Sequence, residues 1–288
     1  MVMQQPLVSV ICVCYNHAQY VVQALDSVIA QTYKPVELIV IDDGSSDNSQ
    51  GVIRQWAMTH PEVQVLLNEG NLGYCKTFNK ALALTHGKYI IDLAADDVLL
   101  PERVQEGVTA LQTNANAGVT FSDAEHIDRN GQRLSLHSAR FPHHLVPSGN
   151  VYKEVVSWYF ICSATLMFTR EVIEYLEGYD ESLAYEDFDF WIRSARKFSY
   201  VYVPRVLVKK RRLPGSMSHR QYTFGSEQSR STFMVCKKIM ALNQTREEQK
   251  ALDKRIVYEA WANFRVLNVR LGISYLILWI RNQRSLPI

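Results

Sequence analysis

The chain has 288 residues, 47% hydrophobic and 21% charged, enough to bury a full core as one large domain or two small ones. That balance excludes a disordered chain. Five cysteines (Cys12, Cys14, Cys75, Cys162, Cys236) are an odd count scattered without metal-type spacing, and Cys12 and Cys14 read as space-fillers on one face of a strand.

The net charge of +2 conceals a split. Residues 1–204 hold 14 Lys and Arg against 24 Asp and Glu, whereas residues 205–288 hold 17 against 5. A basic tail of this kind fits an anionic surface, either a membrane leaflet or nucleic acid, or else a solvated helical face beside an acidic body. No positively charged, apolar leader opens the chain, so a cytoplasmic location is expected.

In chain order, Leu7–Val13 is a continuous apolar run and predicts a strand buried on both faces. Tyr20–Ala30 follows with helical spacing. Val36–Ile41 is a second strand, Gln50–Met58 a second helix and Val63–Leu67 a third strand. The turn cluster Asn68–Gly73 precedes a helix over Thr77–Leu84, and Lys88–Leu93 is the fourth strand. This alternation predicts right-handed βαβ units and an α/β, doubly wound sheet. Further on come a helix near Glu102–Thr113, a strand at Val119–Ser122 and a loop-rich stretch over Arg129–Tyr152. A strand at Ala164–Phe168 and helices at Arg170–Leu176 and Tyr185–Arg196 follow, then a strand at Tyr200–Val208. Helices over Phe224–Asn243 and Glu248–Leu271 close the chain.

Two of the buried strands end in acid. Ile39-Val40-Ile41 runs into Asp42-Asp43-Gly44-Ser45-Ser46, and Tyr89-Ile90-Ile91-Asp92-Leu93 runs into Ala94-Ala95-Asp96-Asp97. Ligands of open α/β sheets bind outside the carboxyl ends of the strands. Paired carboxylates there suit a divalent cation and the phosphates it carries. Adjacent acids at a strand end splay to different sides, so one of Asp96 and Asp97 can face a ribose while the other meets a metal. Glu186 and Asp187 open a predicted helix among Tyr185, Phe188, Phe190 and Trp191. Helix polarity favours their anions, while the aromatic company raises their pKa towards that of a general base. Sequence leaves the outcome open.

With these motifs in order, the chain resembles the inverting family 2 glycosyltransferases of the GT-A fold. The residues that carry the resemblance are Pro6–Ile11, Tyr15-Asn16, Asp42–Asp47, Asn71-Leu72-Gly73 to Asn79, Ala95-Asp96-Asp97 and Tyr185–Trp191. It covers roughly residues 6–218 and implies a nucleotide-sugar half over 1–115, an acceptor half over 116–218 and a basic helical extension over 219–288. It also implies roles. Asp43 and Tyr15 meet the base of a UDP-type donor, Asp96 the ribose, Asp97 a divalent Mn or Mg, and Asp187 acts as base, with Trp191 one helical turn on. Many relatives carry an acid where Ala94 stands, which bears on the ribose contact. Arg211, Arg212 and His219 match a basic segment that folds over the diphosphate, with Leu213 where relatives often have His. Trp158 and Glu186 are candidates on the acceptor side.

A sugar-nucleotide nucleotidyltransferase would need a Gly-rich basic loop after the first strand, and Cys14-Tyr15-Asn16-His17 contains no Gly. A non-catalytic glycan-binding protein would have little use for acids at all three sites. The expected partners are a nucleotide-sugar and a glycan or lipid-linked acceptor, not nucleic acid. The apolar stretch Ile273–Ile280, flanked by Arg270, Arg281 and Arg284, is too short to span a bilayer. It predicts a segment in the headgroup region, or else packing on the body or an oligomer contact.

Overall fold

The computed structural model describes residues 5–141, 146–214, 216 and 221–284. The first half is β1 (Val8–Cys14), α1 (Val21–Ile29), β2 (Val36–Asp42), α2 (Ser49–Ala57), β3 (Gln64–Leu67), α3 (Tyr74–Leu82), β4 (Tyr89–Ala94), the two-residue β5 (Val98–Leu99) and α4 (Arg103–Thr113). The second half is β6 (Ala117–Ile127), β7 (Arg133–Leu136), α5 (Tyr152–Ser157), β8 (Met167–Thr169), α6 (Arg170–Tyr175), α7 (Asp187–Ala195) and β9 (Ser199–Arg211). Three helices follow: α8 (Glu227–Leu242), α9 (Arg246–Arg265) and α10 (Val269–Asn282).

The strands form one mixed sheet in the order β3-β2-β1-β4-β8-β6-β9-β5, with β7 on β6. β1 is parallel to β2 and β4, and β2 to β3. β8 runs antiparallel to β4 and β6, while β6 and β9 are parallel. The carboxyl ends of β1, β2 and β4 therefore share one edge, with Cys14 opposite Asp42 and Val13 opposite Ala94. Val98 pairs with Lys209 across β5 and β9, which brings the basic end of β9 to that same edge.

Both faces are covered. Ile11, Val13, Ile39 and Ile41 point towards Phe78 of α3, Phe188 and Trp191 of α7, and the C-terminal helices through Ile239, Leu252, Ile256, Tyr275 and Leu278. Val10, Cys12 and Val40 face Ala24, Leu25 and Val28 of α1 and Val104 and Val108 of α4. Each such fully buried aliphatic side chain contributes about 1.5–3 kcal/mol. The extension is tied on by Arg196, which pairs both nitrogens with Glu248 at 2.9 Å and stacks over Tyr152 at 3.5 Å.

Several expectations shift. The predicted helix over Glu248–Leu271 breaks at Leu267, whose φ is +60°, so Ile273–Ile280 belongs to a separate helix, α10. β6 and β9 run further than their apolar cores, to Ile127 and Arg211. The loop-rich stretch holds the short strand β7 and reaches the start of α5. Among the described residues no helix is long and apolar enough to cross a membrane.

Candidate active site

The loops after β1 and β2 are bonded into one unit. Asn16, at φ +57°, accepts from the backbone N–H of Ser46 at 2.8 Å and of Asp47 at 3.3 Å, while its own N–H donates to Ser45 Oγ at 2.8 Å. Asp47 accepts from Ala18 N–H at 3.0 Å. Asp42 is fully buried and turns back on its own loop, accepting from Ser45 N–H at 2.8 Å and Gln50 Nε2 at 3.0 Å. Tyr15 stands at the rim, 44% exposed.

Asp43 is 3% exposed. Its Oδ1 accepts from Thr77 Oγ1 at 2.6 Å, Leu72 N–H at 2.8 Å and Asn68 Nδ2 at 3.2 Å, and its Oδ2 from Gly73 N–H at 3.1 Å. One carboxylate thus gathers the 68–73 turn and the start of α3 against the end of β2. Gly44 makes that approach feasible. Its φ is +70°, and a Cβ there would lie 2.3–2.7 Å from the backbone of Gly70 and Asn71.

Asp92 lies within β4, buried, and accepts from Tyr74 and Tyr179 hydroxyls at 2.6 and 2.9 Å. Burial lifts its carboxyl to about 6, against the two tyrosine hydrogen bonds, and the charge of Asp187 adds to the rise. Asp96 and Asp97 diverge as adjacent strand-end acids should. Asp96 approaches His17 Nδ1 at 3.8 Å, on the side of the β1 loop. Asp97, 3% exposed, accepts from Arg211 N–H at 2.8 Å, on the side of β9. Burial, and then Asp96, push the Asp97 carboxyl up to about 8.

Glu186 and Asp187 lead into α7 as expected, and burial outweighs the helix terminus. The Asp187 carboxyl is raised chiefly by desolvation, offset by the nearby Lys210 charge and by hydrogen bonds from the Phe188 N–H and the Ser163 side chain. Glu186 is raised further, by burial and then by Asp187 and Asp92, and its Oε2 has no hydrogen-bond partner. Asp189 is committed elsewhere, paired with Arg193 and Lys238 at 2.6 Å each. Trp191 is buried beside Tyr159, at 6.1 Å between rings, with its Nε1 unpartnered. Trp158 is partly buried between Phe141 and Phe160, at 5.1 Å from each, on the side of β6.

Arg211 is buried rather than extended over the cleft. Its guanidinium donates to the carbonyls of Asp96 at 3.0 Å and Asp128 at 3.0 Å and to Gln23 Oε1 at 2.7 Å, and it stacks over Tyr20 at 4.5 Å. Arg212 is exposed at the lip, with its N–H on the Ile127 carbonyl. His219 lies outside the described residues, as do His143 and His144.

The matching sequence model is that of glycosyl transferase family 2, over residues 9–176. The chain belongs to glycosyl transferase family 2. An uncharacterized glycosyltransferase of Methanocaldococcus jannaschii is 30% identical over 217 residues, covering 73% of this chain and 72% of that one. The chondroitin synthase of Escherichia coli is 26% identical over 70% of this chain but only 28% of its own length. Residues 1–349 of S. aureus TarS in complex with UDP-GlcNAc superpose with a TM-score of 0.72 at 14% identity, covering 97% of this chain and 81% of that one. The mannosyltransferase PcManGT of Pyrobaculum calidifontis, in complex with GDP-Man and Mn2+, gives 0.66 at 18%, covering 96% and 75%. These two likenesses establish the GT-A type of α/β fold.

This family 2 glycosyltransferase holds one site residue that motif reading passes over. Lys210, in β9, lies 3.4 Å from Ser163 Oγ, and its ammonium is close enough to Asp97, Asp187 and Asp96 for their charges to raise its pKa against burial. Its charge acts on Asp97 and Asp187, and at Asp97 the charge of Arg211 acts beside it. The run Lys209-Lys210-Arg211-Arg212 ending an apolar strand is the signal that marks Lys210, as the acid pairs mark β2 and β4. Among the described residues no group of three or more His, Cys, Asp or Glu forms a metal cage. The buried Asp97, with Asp96 beside it, suits instead a hard cation that takes most of its oxygen ligands from a diphosphate.

Proposed function

We propose that this glycosyltransferase is inverting and metal-dependent. It moves a hexosyl or N-acetylhexosaminyl group from a UDP-type donor to a hydroxyl of a glycan or lipid-linked acceptor in the synthesis of a surface polysaccharide. The observation that carries the reading is the grouping of Asp96, Asp97, Asp187 and Lys210 at the carboxyl edge of the sheet, where burial raises the Asp187 carboxyl above its ordinary value, in the direction a base needs. The acceptor oxygen attacks the anomeric carbon on the face opposite the diphosphate. Its proton passes to Asp187 as the bond from the anomeric carbon to the diphosphate oxygen breaks.

Asp97 would hold a Mn or Mg ion, which supplies charge neutralisation to the departing diphosphate. Lys210 adds a fixed positive charge on the same side. Asp96 is assigned to the ribose. Asp43 has spare capacity on Oδ2, which among the described residues accepts only from Gly73, and a carboxylate oxygen accepts twice, so a uracil N–H can be bound beside the Tyr15 ring. The neighbours solved in complex with UDP-GlcNAc and with GDP-Man and Mn2+ support a nucleoside-diphosphate donor. Incubating the protein with UDP-sugars and GDP-mannose, with Mn, Mg or EDTA, and measuring free UDP or GDP tests the reading. Equal release with EDTA, or release from GDP-mannose alone, would overturn the metal or the uridine part respectively.

A further inference from the structure

The two C-terminal helices present an outward face that the reaction does not use. Of the nineteen large apolar side chains exposed among the described residues, ten lie between Val257 and Ile280, so exposure is concentrated there rather than scattered. Six are on α10: Val269, Ile273, Leu276, Ile277 and Ile280, at steps of three and four, fall on one stripe, and Trp279 stands at its edge. The opposite face is locked down. Tyr275 and Leu278 are buried, and Asn282 Nδ2 donates to the Gln249 carbonyl at 3.1 Å and to Asp253 Oδ1 at 3.0 Å. Gly272 lies so close to Phe264 that a Cβ would come within 2.7 Å of its ring. The stripe cannot roll inward without breaking that packing.

α9 repeats the arrangement. Lys254, Val257, Tyr258, Trp261 and Arg265 follow the same spacing, all exposed, with the Arg265 guanidinium over the Trp261 ring at 4.6 Å. Leu267, in the turn between the helices, is 76% exposed. The charged border is predominantly basic: Lys250, Lys254, Arg265, Arg270, Arg281 and Arg284 are exposed, α10 contains no acid, and the half-buried Asp253 of α9 is taken up by Asn282 and Gln283. A second copy docked on this face would set like charges against each other. A surface of anionic lipid complements both the apolar stripe and its basic border. A 14-residue helix is about 21 Å long, short of the hydrocarbon thickness of about 30 Å, so α10 lies in the plane of the interface.

We infer that α9 and α10 dock this enzyme on an anionic membrane leaflet, with α10 immersed along its apolar stripe. The inference stands apart from the donor chemistry, so its failure and that of the proposed reaction are read separately, one by flotation and the other by UDP release. Full-length protein is floated with vesicles of phosphatidylcholine alone and of phosphatidylcholine with phosphatidylglycerol, at low and high salt. Binding to the anionic vesicles is expected, weakening with salt. Ile277→Asp should abolish it. Each of Arg270→Gln and Arg281→Gln should weaken it about fivefold, the ~1 kcal/mol of one basic group near an anionic surface. These positions are exposed, and unchanged thermal midpoints would show that the variants fold. No binding to anionic vesicles at low salt overturns the inference, as does binding that ignores lipid charge. Self-association abolished by Ile277→Asp, without vesicle binding, assigns the stripe to a second copy instead.

Discussion

Asp43→Asn separates what the Asp43 carboxylate does for the protein from what it does for a ligand. Four donors converge on it, from Asn68, Leu72, Gly73 and Thr77, and the residue is buried. An amide offers one oxygen. If that oxygen keeps the three donors of Oδ1, the new NH2 faces Gly73 N–H, donor against donor. Gly73 has a second acceptor in Asn71 Oδ1 at 3.1 Å, which softens that loss. What remains is the exchange of charge-assisted for neutral bonds, plus one frustrated contact. At about 1 kcal/mol lost for each of the three weakened bonds and about 1–3 for the frustrated donor, the variant should lose about 4–6 kcal/mol. In a chain of this size that lowers Tm by about 8–12 °C. The measurement is denaturant unfolding without nucleotide, with Asp96→Asn as control, because the Asp96 carboxylate is partly exposed and only approaches His17 Nδ1, at 3.8 Å, without a hydrogen bond. Asp96→Asn should weaken UDP binding and leave stability within about 0.5 kcal/mol of the parent. Equal stability of Asp43→Asn and the parent would refute the reasoning.

Three further outcomes test the site. Asp187→Asn should remove transfer and spare UDP binding, because the base acts in the transition state; near-normal kcat would move the base to Glu186. Lys210→Met should shift the rise of kcat with pH to higher pH, since the lysine charge holds the Asp187 carboxyl down, while Lys210→Arg should restore it. An unchanged profile in Lys210→Met would reject that coupling. The Asp97 carboxyl is pushed up to about 8, so a bound ion must displace its proton. Apparent Mn affinity by calorimetry should then rise about tenfold per pH unit below pH 8 and level off above it; a flat dependence would remove Asp97 as the ligand.

The βαβ half was legible because its central strands are mainly apolar runs, two of which, β2 and β4, lead into acid pairs. Asp42, Asp43, Asp96 and Asp97 all fall where those runs stop, at one sheet edge. Less legible were strands that continue through charge. β6 includes Asp123, Glu125 and His126, and β9 includes Lys209, Lys210 and Arg211, because their partners across the sheet, and not their own apolarity, keep them extended. Lys210 was missed for that reason. Arg211 matches the basic segment that folds over the diphosphate in relatives, and here four carbonyl and amide acceptors and the Tyr20 ring occupy its guanidinium, a set drawn from three distant segments that no local pattern reveals. The break at Leu267 was hidden because helical periodicity runs through it, while a positive φ at leucine has no sequence signature.

The bonding of Asn16 to Ser45, Ser46 and Asp47 has a practical meaning for redesign. The segment after β1 and the segment after β2 are one part in two pieces. Replacing either with the counterpart from an enzyme of different base preference strands the Asn16 carbonyl, or the amides it receives, against a mismatched surface. A transplant meant to change the nucleotide has to carry residues 15–20 and 43–49 together, and the Asn68–Gly73 turn with them, since Asp43 is anchored there.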